Sequence, residues 1–415
     1  MSCVRRLSLA GIVLACSMGL HATPAQSTPS TAGSTGSTGS TAATTQTTPA
    51  PPPASSAQPA PGSDEAELWY AMERAETELK RSPLLVRDPA LNAYVRDVAC
   101  KVAGDQCPNI RVYIVTAPQF NASMAPNGML VLWSGALLRM RDEAELAFVL
   151  GHETGHFTAR HSLQQWRKLK TASAWMSVFQ IVAYGAGAGG VAQLGTLAGA
   201  AALFKYSRDM EREADRLGFA SVVAHGWAPQ AGADLWARMW REEQTRKYDR
   251  PLQIFSTHPA SQERLDDIKA AAATIASPPT DFGRERYRAA VHPLLVKLLD
   301  EELAQRRYAG SILVISELLD DAPAEDKGLL TFYLGEAYRR RGLGDDRKKA
   351  STYYAQAIAL PGAPPAAWRE VGLARRNAGD LTGARSALQR YLADAPAAED
   401  AAFIRRDLDT LGETP

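Results

Sequence analysis

Cysteine is scarce in this chain, and so is any excess of charge of one sign: four cysteines, with 46 Lys plus Arg against 45 Asp plus Glu, are spread over 415 residues. The charge balance leaves no global field to gather polyanions, which excludes nucleic acid as the expected partner. Charge is absent altogether from Thr23 to Ser63, where Ser, Thr, Pro, Gly, Ala and Gln dominate. Such a segment lacks the apolar surface to offset its chain entropy, so residues 23–63 are expected to be a disordered linker. The whole chain is 46% hydrophobic and long enough to bury more than one core.

Residues 1–22 combine Arg5 and Arg6 with the uncharged apolar run Leu7 to Leu20 and end near small residues, Ala22 and Ala25. This is the layout of a secretory signal peptide. A lipid anchor at Cys16 stands beside it, because Val13-Leu14-Ala15-Cys16 places a cysteine after a small residue, although Leu14 is unusual there. Export also suits the two cysteines left beyond this leader, Cys100 and Cys107. A thiolate metal site needs two more, so a disulfide closing a small loop is expected, worth ~2–3 kcal/mol.

From Asp64 onward the pattern turns helical, with Leu68, Met72 and Leu79 on one face, then Leu91, Tyr94, Val95 and Val98 after the Asp88-Pro89 start. Alternating Ile110-Arg-Val-Tyr-Ile-Val-Thr116 and the run Met129 to Trp133, separated by the Pro126-Asn127-Gly128 turn, predict a small sheet. Asp142 with Glu145 forms a capping box, from which a helix is expected to reach about Leu169. Thr171 to Phe204 carries no charge but is broken by a glycine cluster, giving an apolar hairpin that is buried or lies on the surface, with insertion into a membrane as the alternative. Beyond Tyr287 the chain becomes helix pairs. Gly335 and Gly342 recur as Gly372 and Gly379, and Ala350 and Tyr354 recur as Ala384 and Leu388, a period of 34 with a three-residue insertion near Gly344. Leu334-Gly-x-x-Tyr338 fits the tetratricopeptide pattern, and a degenerate pair is expected over Leu294 to Leu319.

The chemistry concentrates in His152-Glu153-Thr154-Gly155-His156. Two imidazoles four apart share one face of a helix and can hold one zinc ion, while Glu153, one residue on, leans beside that point as a base for an attacking water. Downstream, Glu211 and Asp215 are again four apart. Glu211 is assigned as third ligand and Asp215 as the acceptor that orients a ligand histidine. Glu213 falls on the opposite side, which assigns it to surface solvation. His258 is a candidate oxyanion donor or fourth ligand, with Tyr206 and Arg208 as lesser candidate donors, whereas His161 is read as structural and His225 and His292 carry no signal.

Gly151-His-Glu-Thr-Gly-His156, Ala159-Arg-His161, Tyr206-Ser-Arg208 with Glu211 and Glu213-Ala-Asp215, Thr257-His-Pro259 with Arg264-Leu265, and Asn121-Ala122 with the Pro126-Asn127-Gly128 turn together resemble the zinc metallopeptidase family of CaaX prenyl endopeptidases and HtpX-type heat-shock proteases over about residues 65–275. The repeats behind that stretch are similar to its periplasmic β-barrel assembly-enhancing branch. Where relatives read Pro-Gly-Gly, this chain has Asn127, expected to take the same left-handed conformation. The resemblance implies an α+β architecture: a mostly helical zincin-like domain with a small sheet over 64–280, then all-α tetratricopeptide-like repeats over 285–412. It further implies one zinc per chain, polypeptide substrates extended along the edge of Met129 to Trp133, and a periplasmic enzyme acting on misfolded or unassembled envelope proteins. The repeats would dock a protein partner such as outer-membrane assembly machinery, with peripheral membrane contact open. A chaperone or adaptor with a latent protease domain is the rival.

Overall fold

The computed structural model describes residues 59–171, 205–245, 252, 254–255, 258–259 and 261–411. The expectations for the leader, Cys16, most of the linker and the apolar segment at 172–204 lie outside them. Among the described residues, no helix is long and apolar enough to cross a membrane.

Helix α1 (Asp64–Arg81) starts at Ser63, whose hydroxyl accepts the Ala66 amide, and carries acids in its first turn and bases in its last. Helix α2 (Pro89–Ala103) starts at Asp88 with proline in the first turn and buries Leu91, Val95 and Val98. Cys100 and Cys107 are bonded across a short 3-10 turn that ends this helix.

Strands β1 (Arg111–Val115), β2 (Ala122–Met124) and β3 (Met129–Trp133) form one sheet in the order β1-β3-β2. β3 pairs parallel with β1 and antiparallel with β2. The continuous apolar run of β3 is therefore that of a central strand covered on both faces, and all five residues are buried. This corrects the expectation that Met129 to Trp133 offers an edge: both its edges are taken, and among the described residues the free edge belongs to β2. The turn into β3 also differs from expectation. Gly128, not Asn127, takes the positive φ, at 87°, and a Cβ there would meet the Asn109 carbonyl oxygen at 1.9 Å. Asn127 is held by its side chain instead, accepting the Met129 amide at 3.2 Å and donating to Glu76 at 2.9 Å.

After α3 (Ser134–Arg139), Asp142 caps α4 (Glu143–Thr158) by accepting the Glu145 amide, and the Glu145 carboxylate reaches back to the Arg141 amide, both at 2.9 Å. The single helix expected to reach Leu169 is two. Arg160 takes φ 57°, breaking the chain between α4 and α5 (His161–Thr171). Then come α6 (Arg208–Ala224), capped by Ser207, α7 (Ala231–Thr245) and α8 (Gln262–Ala273), capped by Ser261.

Helices α9 (Arg284–Val291), α10 (Leu295–Ala304) and α11 (Tyr308–Asp321) lead into α12 (Ala324–Arg341) with α13 (Asp346–Ala357), α14 (Pro365–Asn377) with α15 (Leu381–Asp394), and α16 (Ala401–Thr410). The sequence repeat is a packing repeat. A Cβ on Gly335 would strike the Tyr354 ring at 2.7 Å, and one on Gly372 would strike Leu388 at 2.6 Å, so each pair closes through a glycine against a large residue. One hydrophobic core runs from Leu91 through Leu299 to Ala387. Within it, buried Arg139 bridges Glu242 of α7 at 2.7 Å and Glu302 of α10 at 2.9 Å.

Candidate metal centre

Helices α4 and α6 approach closely because their facing residues are small. A Cβ on Gly151 would lie 3.0 Å from Gly218 Cα, and one on Gly155 would lie 3.1 Å from Ala214 Cα. Nothing bulkier fits, and the approach carries Glu211 to the two histidines of α4.

His152 Nε2 lies 3.1 Å from His156 Nε2 and 3.1 Å from His258 Nδ1. Glu211 places Oε2 at 3.6 Å from His152 Nε2, and Oε1 at 3.6 Å from His156 Nε2 and 3.1 Å from His258 Nδ1. One ligand atom from each of these four buried residues lies within 4.8 Å of every other. Donors bound to one tetrahedral zinc at ~2.0–2.1 Å stand about 3.3 Å apart, so the set matches the size of such a site. Glu211 supplies a second test. It is fully buried, Arg264 and His258 come within ion-pair distance, yet among the described residues neither carboxylate oxygen takes a properly directed hydrogen bond. A buried carboxylate left in that condition fits a cation among the four donors.

Glu153 is buried beside them, its carboxylate 3.5 Å from His258 Nε2 and next to the Met124 backbone of β2. Burial raises its carboxyl above the usual range against the pull of His258 and His152, the direction a proton acceptor and donor needs. Burial, then the neighbouring histidines, hold His156 well below its ordinary value, keeping it neutral and able to donate a lone pair.

Asp215 Oδ1 sits 2.9 Å from His152 Nδ1, fixing that ring with Nε2 toward the centre. Burial alone would raise Asp215, but Arg264 and His152 outweigh it and hold the carboxyl at about 2. Arg264 had no assigned role in the sequence reading, and it ties the site together. It donates to Asp215 through Nε at 2.7 Å and Nη2 at 2.8 Å, and to the Pro259 carbonyl at 3.0 Å, and lies 2.7 Å from Glu211. Its signal was the fixed spacing after His258-Pro259, which carried a resemblance but no geometry.

Three roles change. Glu213, assigned to solvation, places Oε2 at 3.2 Å from His161 Nε2. His161, read as structural, has Nδ1 3.0 Å from His156 Nδ1 and so touches a candidate ligand directly. Tyr206 is no donor to the centre: it stacks on His156 at 3.9 Å between ring centres while its hydroxyl bonds Ser162 at 2.9 Å. Arg208 is exposed at the start of α6, and His225 and His292 lie elsewhere, on the Ser221 carbonyl and on Asp326.

Residues 85–272 match peptidase family M48, and residues 344–409 match a tetratricopeptide repeat. The chain is 31% identical over 215 residues to a beta-barrel assembly-enhancing protease of Yersinia pestis, an alignment covering 49% of this chain and 43% of that one. It is 32% identical over 158 residues to the mitochondrial metalloendopeptidase OMA1 of Schizosaccharomyces pombe, covering 38% and 45%. It is 30% identical over 166 residues to the metalloprotease YcaL of Escherichia coli K12, covering 40% and 63%. The chain thus spans between 43% and 63% of the length of these curated relatives.

Proposed function

We propose that this chain, a peptidase family M48 domain followed by tetratricopeptide repeats, is an exported zinc metalloendopeptidase that hydrolyses misfolded or unassembled envelope polypeptides in the periplasm. The observation that carries the reading is the convergence of His152, His156, Glu211 and His258 with Glu153 beside them. We assign residues 64–280 to the peptidase domain and 285–412 to the repeats, whose stacked helix pairs suit a protein partner such as outer-membrane assembly machinery.

In this reading His152, His156 and Glu211 hold one zinc, which when bound supplies Lewis acidity to the scissile carbonyl and the attacking water. Glu153 takes the water's proton on its carboxylate and returns it to the leaving amine. Asp215 and Arg264 keep His152 in the tautomer that faces the centre. The substrate backbone extends along β2. Trp133 donates to the Asn121 carbonyl and Ala125 donates to the Met129 carbonyl, so the alternate residues Ala122 and Met124 turn their backbone groups away from β3. The Met124 backbone lies beside Glu153, which brings that edge to the base.

His258 favours a second state. Its ring is buried among the ligand atoms, where it serves as fourth ligand and hides the position a substrate needs. A latent protease with an adaptor role for the repeats is that state made permanent. Zinc content and casein cleavage, measured on the full chain and its Glu153→Gln variant, separate the readings. One equivalent of zinc in both, with cleavage only in the parent, is expected; zinc without cleavage in either supports the latent adaptor, and no zinc removes the proposal.

A further inference from the structure

We propose that His161 and Glu213 form a positioning relay that fixes His156, as Asp215 fixes His152, so that each histidine of α4 is oriented by its own carboxylate. The relay rests on the reading of the cluster as a metal centre and extends it to His161, just past the break that ends α4, and to Glu213 of α6.

With His156 Nε2 kept as a lone-pair donor to a cation, the protons of the three groups follow from the contacts. His156 turns Nε2 toward the centre shared with His152 and Glu211, and a ring that offers its Nε2 lone pair to a cation there carries its proton on Nδ1. That N–H points at His161 Nδ1, 3.0 Å away, which must then accept. The His161 proton is left on Nε2, where Glu213 Oε2 receives it at 3.2 Å. The chain of donors ends on a carboxylate, as it does for His152 on Asp215. A carboxylate at the end of such a chain raises the basicity of the ligand nitrogen and locks the ring plane. His161 is completely buried, and both its ring nitrogens are used in this chain.

The backbone gives an independent indication. Five residues along a continuous helix turn about 140° around the axis, which would carry His161 away from His156. The chain instead breaks at Arg160, a non-glycine residue at φ 57°, a conformation that costs about 1–2 kcal/mol. Arg160 pairs with Glu65 of α1, and the break returns His161 to the His156 ring. With Tyr206 stacked on its face, His156 is then held both by its Nδ1 and by its ring plane.

The two arms differ in burial. Asp215 is closed in by Arg264, whereas the Glu213 side chain is 39% exposed. Glu213 can therefore be changed without disturbing a core.

The test is zinc affinity of the full chain, by competition with a chromophoric chelator, for the parent, Glu213→Ala, Glu213→Gln and His161→Phe. The melting temperature of each metal-free protein is measured alongside. Second partners of this kind are worth about 10–100-fold in metal affinity. Glu213→Ala is expected to weaken zinc about 10-fold, Glu213→Gln by less because its amide oxygen still accepts, and His161→Phe by the most. Metal-free melting of both Glu213 variants stays at the parent's value. Parent-like affinity in Glu213→Ala overturns the relay, and so does an affinity loss confined to His161→Phe with a lowered metal-free melting temperature. A parent that binds no zinc overturns the metal centre itself, a different outcome from a parent that binds zinc as tightly as its variants.

Discussion

Glu211 on α6 and Glu336 on α12 are both buried glutamates on helices, and their surroundings are opposite. Glu336 receives Arg339 at 2.7 and 2.8 Å, Arg340 at 3.1 Å and the Tyr354 hydroxyl at 2.7 Å. Burial would raise its carboxyl, and these partners together hold it below the usual range. Glu211 is more deeply buried, sits among three imidazoles and Arg264, and among the described residues takes no directed hydrogen bond. The repeat region satisfies its buried acid with its own side chains, whereas the centre between α4 and α6 gathers ion pairs around Glu211 in a cluster that could hold a metal ion. Satisfaction of buried acids thus separates a structural carboxylate from a candidate ligand where burial alone does not.

The comparison breaks most sharply at Glu211. Glu211→Gln keeps the shape but removes the charge, and zinc affinity is expected to fall by more than the roughly 100-fold that loss of an orienting partner can cost, taking cleavage with it. Chelator competition and casein hydrolysis read both. Glu336→Gln is expected to leave both untouched. If it weakens zinc comparably, the two regions are not independent and the contrast fails.

The reciprocal effect is on stability. Glu336→Gln removes the charge that Arg339 and Arg340 share and is expected to cost about 1–3 kcal/mol, seen as a shifted urea midpoint with an unchanged slope. An unchanged midpoint would mean that the ion pairs merely decorate the α12–α13 contact.

Much of this was legible in the sequence because its signals were local. The metal helix announced itself through i, i+4 spacing and the Asp142 cap, and the repeat period followed from Gly335 and Gly372 because each must admit a large neighbour. What escaped depended on a single backbone angle or on contacts far along the chain. The break at Arg160 has no composition signal, since arginine is a good helix former, yet it decides what His161 touches. Helical geometry rightly placed Glu213 on a face away from Glu211, but that face meets the segment beyond the break and not only solvent. The order of the strands was equally hidden: Met129 to Trp133 reads the same as an edge or a central strand until β1 is seen to pair with it in parallel across the turn.

Glu76 sharpens the comparison at its smallest scale. It belongs with Glu336, being buried on α1 and receiving Arg111 twice at 2.6 Å, the Tyr113 hydroxyl at 2.7 Å and Asn127 at 2.9 Å. Burial pushes its carboxyl up, but Arg111, Tyr113 and Lys80 outweigh that and hold it at about 2, against an ordinary value of 4.5. A depressed folded-state value means the unfolded chain takes up the proton first as pH falls. The stabilisation is therefore complete above about pH 4.5 and is lost as pH drops toward 2. Its partners Arg111 and Lys80 are 39% and 54% exposed, so solvent screening reduces the effect to about 1–2 kcal/mol. Melting temperatures of the parent and Glu76→Gln, followed from pH 6 to pH 3, should converge as the pH falls because only the parent loses this contribution. Curves that stay parallel would show that the α1 network holds the Asn127 turn by shape and hydrogen bonding, with the Glu76 charge contributing nothing.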